Sequence, residues 1–288
     1  MTIAPEPIVG RYYPLEVQGR AQRIYVETSG DGAPVVCLHT AGADARQYRH
    51  LQNDPELLAD FRIVAFDLPW HGKSLPPAGW WQEEYLLTVE RYTATIMAVI
   101  EALALERPIV MGCSMGGSVV LELARSHADR LGGVIGFSGA AKVEGRFQDW
   151  PLAPDVNANQ VVPSWTAALM APQGPEAARR EVWWIYSQGG PGIYRGDTYF
   201  YSDSFDLRGR EHEIDTRACP VTLLTGEYDF ACSPEETEAT LARIPGAEGG
   251  RMAGIGHFPI SENYPLCKTY FEPALRRMAR LRAQRLAR

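Results

Sequence analysis

The chain has 288 residues, enough for one large domain that buries roughly three quarters of its unfolded surface. Its 45% apolar and 22% charged residues are ordinary for a globular protein, and no run approaches the ~20 apolar residues of a membrane span. Twenty-eight basic against 35 acidic residues leave a net charge of -7, which argues against nucleic acid as a partner.

Met1-Thr2-Ile3-Ala4-Pro5-Glu6-Pro7 has neither a basic nor an apolar leader segment, so no secretory signal is expected. Residues 11–17 and 21–28 read as an opening antiparallel strand pair. Short apolar runs at Val35–Leu38, Arg62–Phe66, Ile109–Met111, Val134–Phe137 and Val221–Leu224 have the pattern of buried parallel strands. Between them, Leu86 to Leu105 carries an apolar stripe at 89, 92, 96, 99, 100 and 103, and Gly117 to Arg130 is a second amphipathic helix. Strands alternating with helices predict a mainly parallel sheet covered on both faces. From about 141 to 212 the alternation stops. This span is rich in Pro, Gly and aromatic residues, among them Trp150, Trp165, Trp183, Trp184, Tyr186, Tyr194 and Tyr201, and is expected to fold over the carboxyl edge of the sheet. Ser233 to Ile244 is a helix with Ser233 as N-cap, Pro234 in its first turn and Glu236 completing a capping box. Leu275 to Arg288 holds six arginines and no acid, which predicts a solvated terminal helix face. The five cysteines (37, 113, 219, 232, 267) are odd in number and lack C-x-x-C spacing. They read as reduced thiols of a cytoplasmic protein, neither a disulfide frame nor a metal site.

Chemistry concentrates at Gly112-Cys113-Ser114-Met115-Gly116, a G-x-S-x-G sequence with an apolar strand (Arg107–Met111) before it and a helix after it. In that context the pattern is a nucleophile elbow, a sharp strand-to-helix turn that lifts the serine out of the sheet. A serine hydroxyl needs a base, and the base needs an orienting acid. His257, on the glycine-rich turn Ala253-Gly254-Ile255-Gly256-His257-Phe258-Pro259, is the expected base, with His71 as its rival. Asp229, just past the strand 221–224, is the expected acid, with Glu227 as runner-up; an Asx-turn role is the other reading of Asp229. Cys113 is expected to point away from the site. No G-x-G-x-x-G, P-loop or metal-ligand spacing occurs, so chemistry without cofactor or metal is implied.

The order Ser114, Asp229, His257, together with His39-Thr40-Ala41-Gly42 and Asp67-Leu68-Pro69-Trp70-His71-Gly72-Lys73-Ser74, resembles the α/β-hydrolase fold family over nearly the whole chain. The resemblance implies an α/β-hydrolase fold with a core of residues 1–140 and 213–288 and a cap, 141–212, inserted after the sixth strand. It implies an oxyanion hole formed by the backbone N–H groups of Ala41 and Met115, with Thr40 as the reserve donor. Two positions depart from the family pattern, since Thr40 and Trp70 stand where glycines are usual. A serine at the elbow argues against the dehalogenase and epoxide-hydrolase relatives, which carry Asp there. The expected activity is hydrolysis of an ester or lactone of a small to medium, largely apolar molecule, with Trp183 and Trp184 as candidate pocket walls and core packing as the equal alternative for each. C–C bond hydrolysis, amide hydrolysis, acyl transfer and cofactor-free haloperoxidation use the same triad, and a ligand receptor on a retained fold is the non-enzymatic alternative. Neither a nucleic acid nor a membrane is expected as partner, and a homo-oligomer is left open.

Overall fold

The computed structural model describes residues 4–287. The leader-free reading draws on residues 1–3 and the arginine run on Arg288, and these lie outside the described residues. In chain order the main elements are β1 (Val9–Val17), β2 (Arg20–Ser29), β3 (Ala33–Leu38), β4 (Phe61–Phe66), α1 (Val89–Ala102), β5 (Ile109–Cys113), α2 (Met115–Ser126) and β6 (Gly133–Phe137). They continue with α3 (Ala158–Ala167), α4 (Glu176–Tyr186), α5 (Ile193–Tyr199), β7 (Val221–Gly226), α6 (Pro234–Leu241), β8 (Glu248–Met252) and α7 (Tyr264–Leu286).

All eight strands form one sheet in the order β1-β2-β4-β3-β5-β6-β7-β8. The first pair is antiparallel, β2 joins β4 antiparallel, and the remaining contacts are parallel. The period of two along a strand sorts the core. On β5, Val110 packs with Ile96 and Val99 of α1 and Val119 of α2 on one face. Ile109, Met111 and Cys113 face the other side, with Phe271, Leu275 and Met278 of α7.

Element ends differ from the sequence reading for local reasons. Thr88 caps α1 by accepting the Arg91 N–H, so this helix begins at Val89 and not at Leu86. Helix α2 starts at Met115, directly after Ser114, because the elbow leaves no linker between strand and helix. The capping box of Ser233 and Glu236 forms as read. The arginine-rich terminal helix is not a free solvated face. Leu275 and Met278 are buried. Arg282 donates to the carbonyls of Glu106 (2.7 Å) and Arg107 (3.0 Å) ahead of β5, and Arg285 to that of Ala218 (2.6 Å) ahead of β7. Carbonyls at strand entries need donors, and the guanidinium forks supply them.

Between β6 and β7 the chain is helical, with α3, α4 and α5 followed by a five-residue π-turn at Phe200–Ser204. No helix among the described residues is long and apolar enough to cross a membrane. The five cysteines are free and buried.

Candidate active site

Strand β5 ends inside the molecule, and the next residue turns the chain sharply. Ser114 sits at φ 59°, ψ -117°, a conformation that non-glycine residues rarely adopt. Its N–H donates to the Phe137 carbonyl (2.8 Å) and its carbonyl accepts from the Ser118 N–H (2.9 Å), which fixes the turn between β5 and α2 against β6. A Cβ at Gly112 would lie 2.5 Å from the Gly116 carbonyl carbon, and one at Gly116 would lie 2.7 Å from the Leu38 carbonyl oxygen. Only glycine lets strand and helix approach this closely.

Three of the expected residues meet here. Ser114 Oγ lies 3.0 Å from His257 Nε2, and Asp229 Oδ2 lies 2.7 Å from His257 Nδ1. With the Asp229 carboxylate accepting from Nδ1–H, Nε2 is left to accept from the serine hydroxyl. All three are buried. Asp229 Oδ1 also accepts from the N–H groups of Ala231 (2.8 Å) and Cys232 (3.0 Å), so the Asx-turn reading and the acid reading hold together. The rivals face elsewhere. Glu227 is exposed and accepts from Gly254 N–H. His71 has Nδ1 on the Pro69 carbonyl and Nε2 on Asp197. Cys113 faces the α7 side of the core, its thiol is hydrogen-bonded to the His257 carbonyl, and burial pushes it well above its ordinary range.

The loop after β3 separates the two oxyanion candidates. Thr40 N–H donates to Gln47 Oε1 (2.9 Å), and its hydroxyl is bonded to Gln47 and to the Tyr186 hydroxyl. Gly42 N–H donates to Asp197 (2.7 Å) and Ala43 N–H to the Thr40 carbonyl (3.1 Å). The N–H groups of Ala41 and Met115 have no protein acceptor among the described residues, and Ala41 lines the same cavity as Ser114. Thr40 is therefore tied up by its neighbours. Trp70, the other departure, keeps the left-handed backbone (φ 79°) that glycine would favour, and its ring packs on Trp80 and Tyr85.

The cavity over Ser114 and His257 measures about 20 Å³, close to one water molecule. Its walls include Trp165, Leu169, Tyr186, Tyr194 and Tyr201 of the inserted segment. Trp183 and Trp184, read as pocket walls or core, are neither: they are 42% and 60% exposed and point outward. Helical spacing explains the correction, since Val182, Ile185 and Tyr186 form the buried face of α4 and the two tryptophans fall on its other side.

Two carboxylates that organise the site escaped the sequence reading. Glu262 accepts from the N–H groups of Gly256 (2.5 Å), Phe258 (3.1 Å) and Ala171 (3.2 Å), gripping both sides of His257 and tying them to the insertion. Burial raises its carboxyl despite those three amides. Its place in the first helical turn after Pro259 was the available signal. Asp197 of α5 is completely buried. It accepts from Gly42 N–H, the Tyr85 hydroxyl (2.7 Å) and His71 Nε2 (2.7 Å). Both His71 nitrogens face acceptors, as an imidazolium requires. Burial alone would lower the His71 pKa, but the charge and hydrogen bond of Asp197 outweigh it and raise it. No local pattern marks Asp197, whose partners lie up to 155 positions away. Among the described residues, no group of three His, Cys, Asp or Glu side chains has the geometry of a metal site.

His39 behaves oppositely to its neighbour His71. Its Nε2 accepts from Leu68 N–H (3.1 Å) and its Nδ1–H donates to the Thr40 carbonyl (2.9 Å). Burial, with the charge of His71 beside it, lowers its pKa to about 4. The unfolded chain protonates this histidine near 6.5, so between 6.5 and 4 the unfolded state binds the extra proton and stability falls as the pH drops. At about 1.4 kcal/mol per pH unit the loss is on the order of 3 kcal/mol. Asp67, raised to about 6 by burial and by Asp44, works in the other direction over part of the same range. The comparison with His39→Gln isolates the histidine. Denaturant midpoints should show the variant gaining on the parent by about 3 kcal/mol from pH 7 to pH 4. A gap that stays constant across that range would refute this account.

Comparison with known proteins adds four findings. Residues 35–265 match the Alpha/beta hydrolase family. A pimeloyl-[acyl-carrier protein] methyl ester esterase of Aeromonas hydrophila is 32% identical over 134 residues, 46% of this chain and 48% of that protein. A 2-hydroxy-6-oxo-6-phenylhexa-2,4-dienoate hydrolase of Burkholderia cepacia is 28% identical over 143 residues, 47% of this chain and 46% of that one. The chain thus spans less than half the length of these two relatives. A thermophilic esterase from Thermogutta terrifontis superposes with a TM-score of 0.81 at 20% identity, covering 93% of this chain and 99% of the other, a likeness of fold.

Proposed function

This chain belongs to the alpha/beta hydrolase family, and we propose that it is a serine hydrolase that cleaves a carboxylic ester or lactone of a small to medium, largely apolar molecule through an acyl-enzyme. The observation that carries the reading is the relay from Ser114 through His257 to Asp229, at 3.0 Å and 2.7 Å. In this reading Ser114 Oγ attacks the acyl carbon while His257 Nε2 takes its proton, and Asp229 stabilises the resulting imidazolium. The tetrahedral oxyanion sits between the N–H groups of Met115 and Ala41, where one such donor is worth about 3 kcal/mol of transition-state stabilisation. Collapse returns the proton to the departing alcohol. Water, deprotonated by His257, then attacks the acyl carbon, and the acid leaves as Ser114 regains its proton.

The insertion, residues 141–212, acts as a cap over a core of residues 1–140 and 213–288. Its buried aromatic walls favour an apolar substrate body. No cofactor takes part in this scheme, and the substrate is a small molecule.

A fluorophosphonate probe tests the nucleophile. The expected result is stoichiometric labelling of Ser114, mapped by peptide mass, and its absence in Ser114→Ala. Lack of reaction, or a label on another residue, would sink the proposal in favour of a receptor. Turnover of p-nitrophenyl esters, lactones and a dienol diketone distinguishes ester from C–C bond cleavage.

A further inference from the structure

The cavity above Ser114 has one strongly charged wall residue, and its charge is uncompensated. Arg146 lies in the segment after β6 and lines the same space as Ser114, His257 and Tyr194. Its backbone N–H donates to Ser202 Oγ (2.7 Å) in the π-turn. Its guanidinium Nε donates to the Ala231 carbonyl (3.1 Å) and Nη2 to the Phe230 carbonyl (2.5 Å). No Asp or Glu pairs with it among the described residues, whereas Arg46 and Arg195 each pair with a carboxylate.

An arginine held this way is oriented without being neutralised. Of its five N–H donors, two are engaged by neutral carbonyls, which leaves three, including both on Nη1. A half-buried guanidinium with unengaged donors offers a fork that matches a carboxylate in two hydrogen bonds. The carbonyls that hold it belong to the turn whose N–H groups grip Asp229, so the guanidinium keeps a fixed position relative to the triad. Tyr194 reports the direction of the charge. Burial pushes its phenol up to about 12, while a hydrogen bond from Trp165 and the positive charge of Arg146 pull the other way.

We propose that Arg146 is a specificity-determining residue that binds a carboxylate of the substrate, so that the preferred substrates are esters or lactones carrying a second, anionic end. The inference rests on Ser114 being the nucleophile. The apolar body of the substrate lies along Leu169 and Phe258, and the distal carboxylate takes the free donors of Arg146 as a charge-assisted, fork-shaped pair.

Two esters of equal acyl length test this, monomethyl adipate and methyl hexanoate, with kcat/KM read from acid release. The parent enzyme should favour the adipate by on the order of 10- to 100-fold, the range expected of hydrogen bonds to a charged group. That ratio should collapse toward unity in Arg146→Gln and survive in part in Arg146→Lys. A parent ratio at or below unity overturns the inference, as does an Arg146→Gln protein in which both rates fall together, since a residue that merely props the Asp229 turn would do that. Free adipate should also slow phosphonate labelling of Ser114 in the parent and not in Arg146→Gln, which reads the contact without turnover. Labelling of Ser114 that adipate leaves unchanged refutes the carboxylate site and keeps the nucleophile. Failure of Ser114 to label at all refutes the nucleophile itself.

Discussion

Ser114→Ala should fold as the parent does and turn over p-nitrophenyl butyrate roughly 10³- to 10⁶-fold more slowly. The fold is preserved because alanine keeps the Cβ and adds nothing, and the strained turn at φ 59° is held by backbone bonds to Phe137 and Ser118 that the substitution leaves alone. The loss is large because no other group can take over the attack. Cys113 faces the opposite side of the sheet with its thiol held protonated by burial. In the proposed scheme, what survives is the polarisation of the acyl oxygen by two backbone N–H groups, worth roughly 10³ over water on its own. The measurement is kcat alongside a thermal midpoint. A variant keeping a tenth of the parent activity would show that Ser114 is not the nucleophile.

Asp197→Ala should produce the largest loss of stability, about 3–5 kcal/mol, because it strands a buried imidazolium. The same substitution leaves Gly42 N–H and the Tyr85 hydroxyl without their acceptor. The pH dependence identifies the cause. The raised pKa of His71 means that the contribution of the pair is complete below its unfolded value near 6.5 and declines as the pH rises through the folded value. The penalty measured from denaturant midpoints should therefore be greatest in mild acid and smaller at alkaline pH. A penalty under about 1 kcal/mol, of the size found for exposed pairs, would show that Asp197 is not holding a charge.

What could be read from the chain in advance was whatever is written locally. Buried parallel strands are short continuous apolar runs, so 35–38, 62–66 and 134–137 were visible as such. The elbow was visible because its mechanics require glycines two positions either side of the serine. His257 and Asp229 were visible because each follows a strand on a turn. The rest depended on three-dimensional neighbours. Trp183 and Trp184 were misplaced because aromatic content alone does not tell which face of α4 is inward, whereas the spacing of Val182, Ile185 and Tyr186 does. Asp197 and Arg146 look like surface charges in sequence. Only the folded chain shows that one sits among the Gly42, His71 and Tyr85 donors and that the other borders the serine. The terminal arginines misled for the same reason, since the carbonyls they hold are some 67 to 176 residues distant.

The space over Ser114 and His257 is narrow but partly open to solvent, and an acyl chain would have to widen it. In the proposed reading, that widening comes from the inserted segment. Two anchors limit where it can occur. Glu262 secures Ala171, and the Asp197 pair secures α5, so neither can part from the core without breaking buried polar contacts. Trp165 on α3 is 44% exposed, and its polar contact is the hydrogen bond to the Tyr194 hydroxyl. In the proposed reading, displacement of inserted-segment side chains ahead of the acyl chain is a step that can limit turnover.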